Sequence, residues 1–504
     1  MKQIKYLFLL ALTLLLASCS SQYLLDPGVV YECRAEQFRG YVVSQGSAGV
    51  LSTNMGSLYV DDGQLIAEPR RVSFMKKGSD IRIEGVGVEK QTCYLTPYFS
   101  PKPKVFAQGP DYQTPSFQVA RKNNVVYAQA QGYWSSYPHV HESFAKTYAN
   151  KLLTVRMTKL NLDMDIYEPV GDGEQLRPLR PLLVMVHGGA FFNGDKADEE
   201  YSRWCELFAS CGYVAVSVNY RLGYGMLPSA ANVERAGYRA VQDVHAAIRY
   251  MLGNKERYAI DPNRIYLAGC SAGAIASLNV AFMTEKNRPS SVDKDMGGLN
   301  AIAPEYTDPF QIRAICNMWG AMANLDWLKN SRTSILSIHS MYDPIVPYGV
   351  GYPFADMLKS AANLVMPQMF GSSEIHKRAQ KLSKRTELVP YKLNKHTVVR
   401  KESDDSIDEQ ILRDIYGRMT RFFYEDMVPH PVSIAQRGVS DQYFGLSDAV
   451  DVADYDWQVE GGVIIDRTDS RGVNVLFFSD APIRRLSLIG QYRIGLGFSD
   501  SRIF

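Results

Sequence analysis

The chain has 504 residues, 46% hydrophobic and 21% charged, with a formal net charge of +2. A balance so near neutrality, without a basic block, excludes a nucleic-acid-binding surface as its organising feature. The length suits two to four domains with sizeable cores, and nothing after the N-terminal apolar run reaches the roughly 18 apolar residues of a membrane helix.

Lys2 and Lys5 precede an apolar run from Tyr6 to Leu16, too short to cross a bilayer. The run ends Leu16-Ala17-Ser18-Cys19, which resembles the lipobox of bacterial lipoproteins. The resemblance implies a signal peptide over residues 1–18, cleavage before Cys19, and acylation of that cysteine as a lipid anchor to the membrane. Ser20-Ser21 lacks the aspartate that retains such proteins at the inner membrane, so the expected address is the outer membrane. Loss of the leader removes two lysines and leaves 53 basic against 53 acidic residues.

Residues 19–118 read as a small β-rich domain. Arg39–Ser44, Ser57–Gly63 and Asp80–Val88 are short alternating or β-branched runs punctuated by glycine, and Gly109-Pro110 marks a boundary. An exported chain can form disulfides. Cys33 with Cys93 would staple this domain. Cys270 with Cys316 is a second candidate pair, from segments expected to be sheet neighbours. The cysteine spacings match no zinc-site pattern, and neither a metal nor a cofactor is expected.

Residues 119–430 alternate strands with amphipathic helices, the pattern of a mostly parallel sheet flanked by helices. Leu160–Tyr167 alternates with period two, as an early antiparallel strand does. Pro181–His187 is a continuous apolar run that suits a strand buried on both faces, and Tyr213–Tyr220 is another. Glu199–Ala209 and Arg239–Leu252 carry apolar residues at helical spacing. Strands are predicted over Arg313–Trp319 and Ser334–Ser340. Glu387–Leu393 contains Pro390 and belongs near an edge. Asp408–Met427 closes the domain as a helix. Residues 431–504 return to β character, and Trp457-Gln-Val-Glu-Gly-Gly462 resembles PKD-like immunoglobulin-type domains, implying a β-sandwich.

The chemistry centres on Gly269-Cys270-Ser271-Ala272-Gly273, which follows the apolar run Ile265–Ala268 and precedes small residues able to begin a helix. Strand, tight turn and helix form the setting of a nucleophile elbow, in which the serine hydroxyl stands above the sheet. Such a serine requires a base, a group that orients the base, and donors for an oxyanion. Asp343 and His396 each follow a predicted strand, in the chain order Ser–Asp–His. His396 is therefore the candidate base and Asp343 its orienting acid, with Asp326 as a spare. His339 reads as a packing or turn residue. Tyr348–Phe370, with Met357, Met366, Met369 and Phe370, is a candidate pocket insertion, as is Glu285–Phe310.

His187-Gly-Gly-Ala190-Phe191 follows a central strand and resembles the His-Gly-Gly-Gly loop of lipases and esterases. That loop, the helix around Asp243, Asp261-Pro-Asn-Arg-Ile265 and the Ser271 motif together resemble the carboxylesterase and hormone-sensitive-lipase-like branch of α/β-hydrolases. The resemblance implies an oxyanion hole from the N–H groups of Gly189, Ala190 and Ala272, with Cys270 standing where that branch often has Asp or Glu. It implies a serine hydrolase acting on small-molecule esters, with short acyl chains expected. A serine exopeptidase on the same fold and a non-catalytic hydrolase-like adhesion protein are the alternatives.

Overall fold

The computed structural model describes residues 102–106, 109–137, 151, 154, 156–171, 178–225, 228–436, 443–469, 472–477 and 483–504, together with the backbone of eight strands between Val30 and Pro97. The leader and Cys19 lie outside the described residues. Contacts divide the chain into two compact units.

The unit comprising Gln108–Pro429 and Arg493–Leu496 is built on one eight-stranded sheet. Its strands are β1 (Gln118–Gly132), β2 (Thr158–Val170), β3 (Arg180–Val186), β4 (Val214–Val218), β5 (Ile260–Cys270), β6 (Ile312–Met318), β7 (Ser334–Ser340) and β8 (Thr386–Tyr391). Their spatial order is β1-β2-β4-β3-β5-β6-β7-β8. β1 and β2 run antiparallel, β2 meets β4 antiparallel, and all later neighbours are parallel. This is the mostly parallel architecture the sequence predicts. The apolar runs of β3 and β4 are buried at every position, as strands covered on both faces must be. Pro390 sits on β8, at the sheet edge.

Among the described residues five longer helices accompany the sheet: α1 (Glu199–Ser210), α2 (Ala230–Gly253), α3 (Ala272–Phe282), α4 (Ser372–Lys381) and α5 (Glu409–Met427). α2 begins well before the expected Arg239. Ser229 accepts a hydrogen bond from the Asn232 N–H and fixes that start, ahead of the apolar stripe that betrays the helix in sequence. Asp408 caps α5 in the same way, through the N–H groups of Gln410 and Ile411.

α2 is tied to the loop after β4 by a buried ion pair. Asp243 accepts from the Arg221 backbone N–H at 2.7 Å and from its Nε at 2.9 Å, while Gln242 takes Arg221 Nη2 at 2.9 Å.

The second unit contains the N-terminal strands and the chain after Pro429, apart from Arg493–Leu496. The eight N-terminal strands form a closed antiparallel barrel in sequence order, with Val30–Ala35 paired to Gln91–Pro97. Cys33 stands opposite Leu95 on those paired strands, near Cys93; the side chains of both cysteines lie outside the described residues. The C-terminal part holds two antiparallel sheets, one of four strands and one of three. Trp457 is buried on the three-stranded sheet, opposite Leu488. Among the described residues no helix is long and apolar enough to cross a membrane.

Arg221→Met strands the fully buried Asp243 carboxylate without its cation. It is expected to lower unfolding free energy by roughly 3–5 kcal/mol, and pairing it with Asp243→Leu should recover much of that loss. Urea unfolding of the single and double variants checks both statements.

Candidate active site

The elbow forms because the end of β5 must turn sharply into α3 beneath the tip of β3. A Cβ on Gly273 would lie 2.1 Å from the Val186 carbonyl oxygen and 2.4 Å from that of His187, so only glycine fits. Ser271 itself takes φ 54° and ψ −120°, a strained conformation for a residue with a side chain. Its N–H donates to Met318 O at 2.9 Å and its carbonyl accepts from Ile275 N at 3.0 Å, which holds the strain in place.

Ser271 Oγ lies 2.7 Å from His396 Nε2, and His396 Nδ1 lies 2.7 Å from Asp343 Oδ2. The three residues singled out by chain order are thus joined by hydrogen bonds. Asp343 occupies the loop after β7, with Oδ1 accepting from the N–H groups of Ile345 (2.8 Å) and Val346 (3.0 Å). Its side chain is fully buried. Burial alone would raise its pKa, but hydrogen bonds from His339 and His396 outweigh that cost and hold the carboxyl at about 2. Asp326 is elsewhere, on the surface, paired with Lys329 and Arg378.

The Gly188–Phe191 loop follows β3 with φ values of 102° at Gly189, 53° at Ala190 and 58° at Phe191. A Cβ at Gly189 would come within 2.0 Å of Asn193 O. The loop's carbonyls are engaged. His187 O accepts from the Tyr220 hydroxyl at 2.8 Å, and Gly189 O from the N–H groups of Phe192 and Asn193. Ala190 O accepts from the Tyr224 hydroxyl, Phe191 O from Gly223 N at 2.8 Å, and Phe192 O from Trp134 Nε1 at 2.8 Å. Among the described residues none accepts from the N–H of Gly189, Ala190 or Ala272. Successive backbone donors in such a positive-φ turn form an anion-binding concavity.

Two cavities meet at Ser271. One, of about 80 Å³, is apolar and lined by Phe191, Val233, Ile275, Phe354, Met366 and Met369 among others. The other, of about 950 Å³, has a mixed lining that includes Asn193, Glu200, His396, Arg400 and Asp404. Of the four residues expected to line an acyl pocket, Met366 and Met369 do so. Met357 is 65% exposed, and neither it nor Phe370 is in the lining. Pro289 is the contribution of the 285–310 segment.

The Cys270–Cys316 pairing is incorrect: both are free, buried thiols. β5 and β6 run in a register that sets Cys316 against Ala268 and Cys270 against Met318. Two residues along the strand and one strand across is roughly 8 Å between Cα atoms, beyond the ~7 Å a disulfide spans.

Sequence reasoning missed three groups. His339 contacts Asp343; Tyr224 and Tyr220 pin the glycine loop. The signal for His339 is its position four residues before Asp343 at the end of an apolar strand. Tyr220 and Tyr224 carry no comparable signature. Among the described residues no group of three or more His, Cys, Asp or Glu side chains could hold a metal ion.

Residues 164–341 match the family model for BD-FAE. The chain is 33% identical over 209 residues to venom carboxylesterase-6 of Apis mellifera, covering 37% of this chain and 35% of that protein. Its sheet domain is thus similar to carboxylesterase-type α/β-hydrolases. Over 110 residues this domain is 33% identical to gut esterase 1 of Caenorhabditis elegans, covering 22% of this chain and 19% of the relative. The matches therefore span about a third or less of these curated relatives' own length. A thermophilic esterase from Thermogutta terrifontis, solved with butyrate bound, is similar at 18% identity and a TM-score of 0.37, covering 53% of this chain and 90% of that one.

An ordinary aspartate titrates near 3.8, so a carboxyl held at about 2 favours the folded state whenever it is ionised. That stabilisation, roughly 2 kcal/mol, is present in full above about pH 4 and disappears as pH falls through about 2. Unfolding free energies measured from pH 5 down to pH 2 should show this loss in the unaltered protein, and a shallower one in Asp343→Asn.

Proposed function

We propose that the domain hydrolyses carboxylic esters through an acyl-enzyme on Ser271. The observation that carries this reading is the 2.7 Å contact of Ser271 Oγ with His396 Nε2, backed by that of His396 Nδ1 with Asp343. In the reaction His396 takes the Ser271 proton as Oγ attacks the ester carbonyl carbon. Negative charge collects on the carbonyl oxygen, where the N–H groups of Gly189, Ala190 and Ala272 receive it. One such donor contributes about 3 kcal/mol. Collapse breaks the carbon–oxygen bond to the alcohol, which leaves with the proton from His396. Water then gives a proton to His396, attacks the acyl carbon, and releases the acid and free Ser271. Asp343 stays ionised throughout and balances the imidazolium.

The cavities apportion the substrate. A cavity of about 80 Å³ suits a short acyl chain of roughly two to four carbons. The larger cavity, with Asn193, Glu200, Arg400 and Asp404 on its wall, accepts a larger, hydroxylated alcohol. The relatives named as esterases support the ester rather than the amide reading. We also propose that Cys19 carries the lipid that anchors the chain to the outer membrane, a reading supported by Leu16-Ala17-Ser18-Cys19.

Ser271→Ala is expected to abolish p-nitrophenyl acetate turnover and labelling by a fluorophosphonate. Unchanged turnover would end the nucleophile assignment. Across p-nitrophenyl acetate, butyrate and octanoate, kcat/KM should fall at least about tenfold at the longest chain, since atoms beyond the cavity must displace packed side chains. For the anchor, Cys19→Ser should move the expressed protein from the detergent to the aqueous phase of a Triton X-114 partition.

A further inference from the structure

Behind Asp343 lies a second imidazole that the esterase mechanism does not use. His339, on β7, is fully buried. Its Nε2 lies 3.2 Å from Asp343 Oδ2, the oxygen that also meets His396 Nδ1, and 3.2 Å from Val346 O. Neither partner has a hydrogen to give: one is a carbonyl and the other a carboxylate. Nε2 must therefore carry a proton, and in the neutral ring Nδ1 is then the acceptor. Nδ1 is met at 2.8 Å by Ser372 Oγ, at the start of α4. The Ser372 hydroxyl can donate there because its oxygen accepts from Asn317 Nδ2 at 3.0 Å. Asn317 is held in turn by Ser337 Oγ at 3.1 Å and by the Gly320 N–H at 3.1 Å. Asn317, Ser337, His339 and Ser372 are all fully buried.

We propose that His339 is a positioning residue for the Asp343–His396 pair, held in one tautomer by Ser372 and Asn317. The proposal rests on the Ser271 esterase reading and adds a part to it. With two backbone N–H groups on Oδ1 and two imidazoles on Oδ2, the carboxylate has no freedom to rotate away from His396. The second imidazole also draws charge from Oδ2, which moderates the pull of Asp343 on the His396 proton. A chain of buried side chains thus sets both the aim of the base and the pH at which it works. The titratable groups facing His339 are Asp343 and the Tyr348 ring. Those sharing the larger cavity with His396 are Asp198, Glu199, Glu200, Tyr201, Arg400, Asp404 and Asp405, with the Cys270 thiol. All of these remain in the variants below.

The test compares pH–rate profiles, normalised to sites titrated with a fluorophosphonate, for the unaltered protein, His339→Leu, His339→Gln and Ser372→Ala. His339→Leu fills the space without a donor. It should lower kcat about tenfold or more with KM changed less than about twofold, and move the acid limb of kcat/KM to higher pH by about half a unit, because Oδ2 then holds the His396 proton more tightly. His339→Gln keeps an N–H donor near the Nε2 position and should restore most of both. Ser372→Ala should shift the limb the same way by less, and it keeps the proposal testable if His339→Leu does not fold. An acid limb unmoved in His339→Leu, or in Ser372→Ala when the first does not fold, overturns the role of His339 while Ser271-dependent turnover stands. Turnover in the unaltered protein that does not depend on Ser271 removes the esterase reading itself.

Discussion

The turn at Ser271 is pressed against the tip of β3 so closely that no atom beyond hydrogen fits on Gly273. This one approach fixes the relation between two backbone segments distant in sequence, the start of α3 and the glycine loop after β3. Were they a side chain further apart, the Ala272 N–H would lie further from those of Gly189 and Ala190. Close packing leaves no intermediate position, because a protein interior at crystal-like density absorbs an added methyl only by moving backbone.

Order in the glycine loop comes from its oxygens. Tyr220, Tyr224, Gly223 and Trp134 each donate to a carbonyl between His187 and Phe192, from the loop after β4 and the segment just after β1. A loop fastened by its acceptors presents its donors, already oriented, without drawing on the hydrogen bonds that a bound oxyanion would need. The strained backbone of Ser271 persists for a related reason. Its own N–H and carbonyl are both engaged, so relaxing the dihedrals would break two buried hydrogen bonds.

Much of this was legible in the chain because it is carried by local pattern. Continuous apolar runs marked β3 and β4, and Pro390 marked β8 as peripheral. Ser271, Asp343 and His396 were found because each follows a strand in an order that brings strand ends together. What escaped depends on register and on side-chain direction. Cys270 and Cys316 do lie on neighbouring strands, yet a two-residue offset separates them, and periodicity carries no information about offset between strands. Met357 has the composition of a pocket residue but is exposed, and Met366 and Met369, further along the chain, line the apolar cavity instead. His339 was taken for packing, and it is fully buried as a packing residue should be. Only the position of its Nε2 distinguishes it.

The corrected cysteines have one further consequence. Cys205, Cys211, Cys270 and Cys316 are buried and unpaired, and burial pushes the thiol of each upward, so they stay protonated at neutral pH. Protonated, enclosed sulfur neither attacks a disulfide nor is attacked by one. Among its described residues the unit built on the eight-stranded sheet is therefore redox-silent: its folding asks nothing of an oxidant, and it keeps the same covalent structure in glutathione as in air.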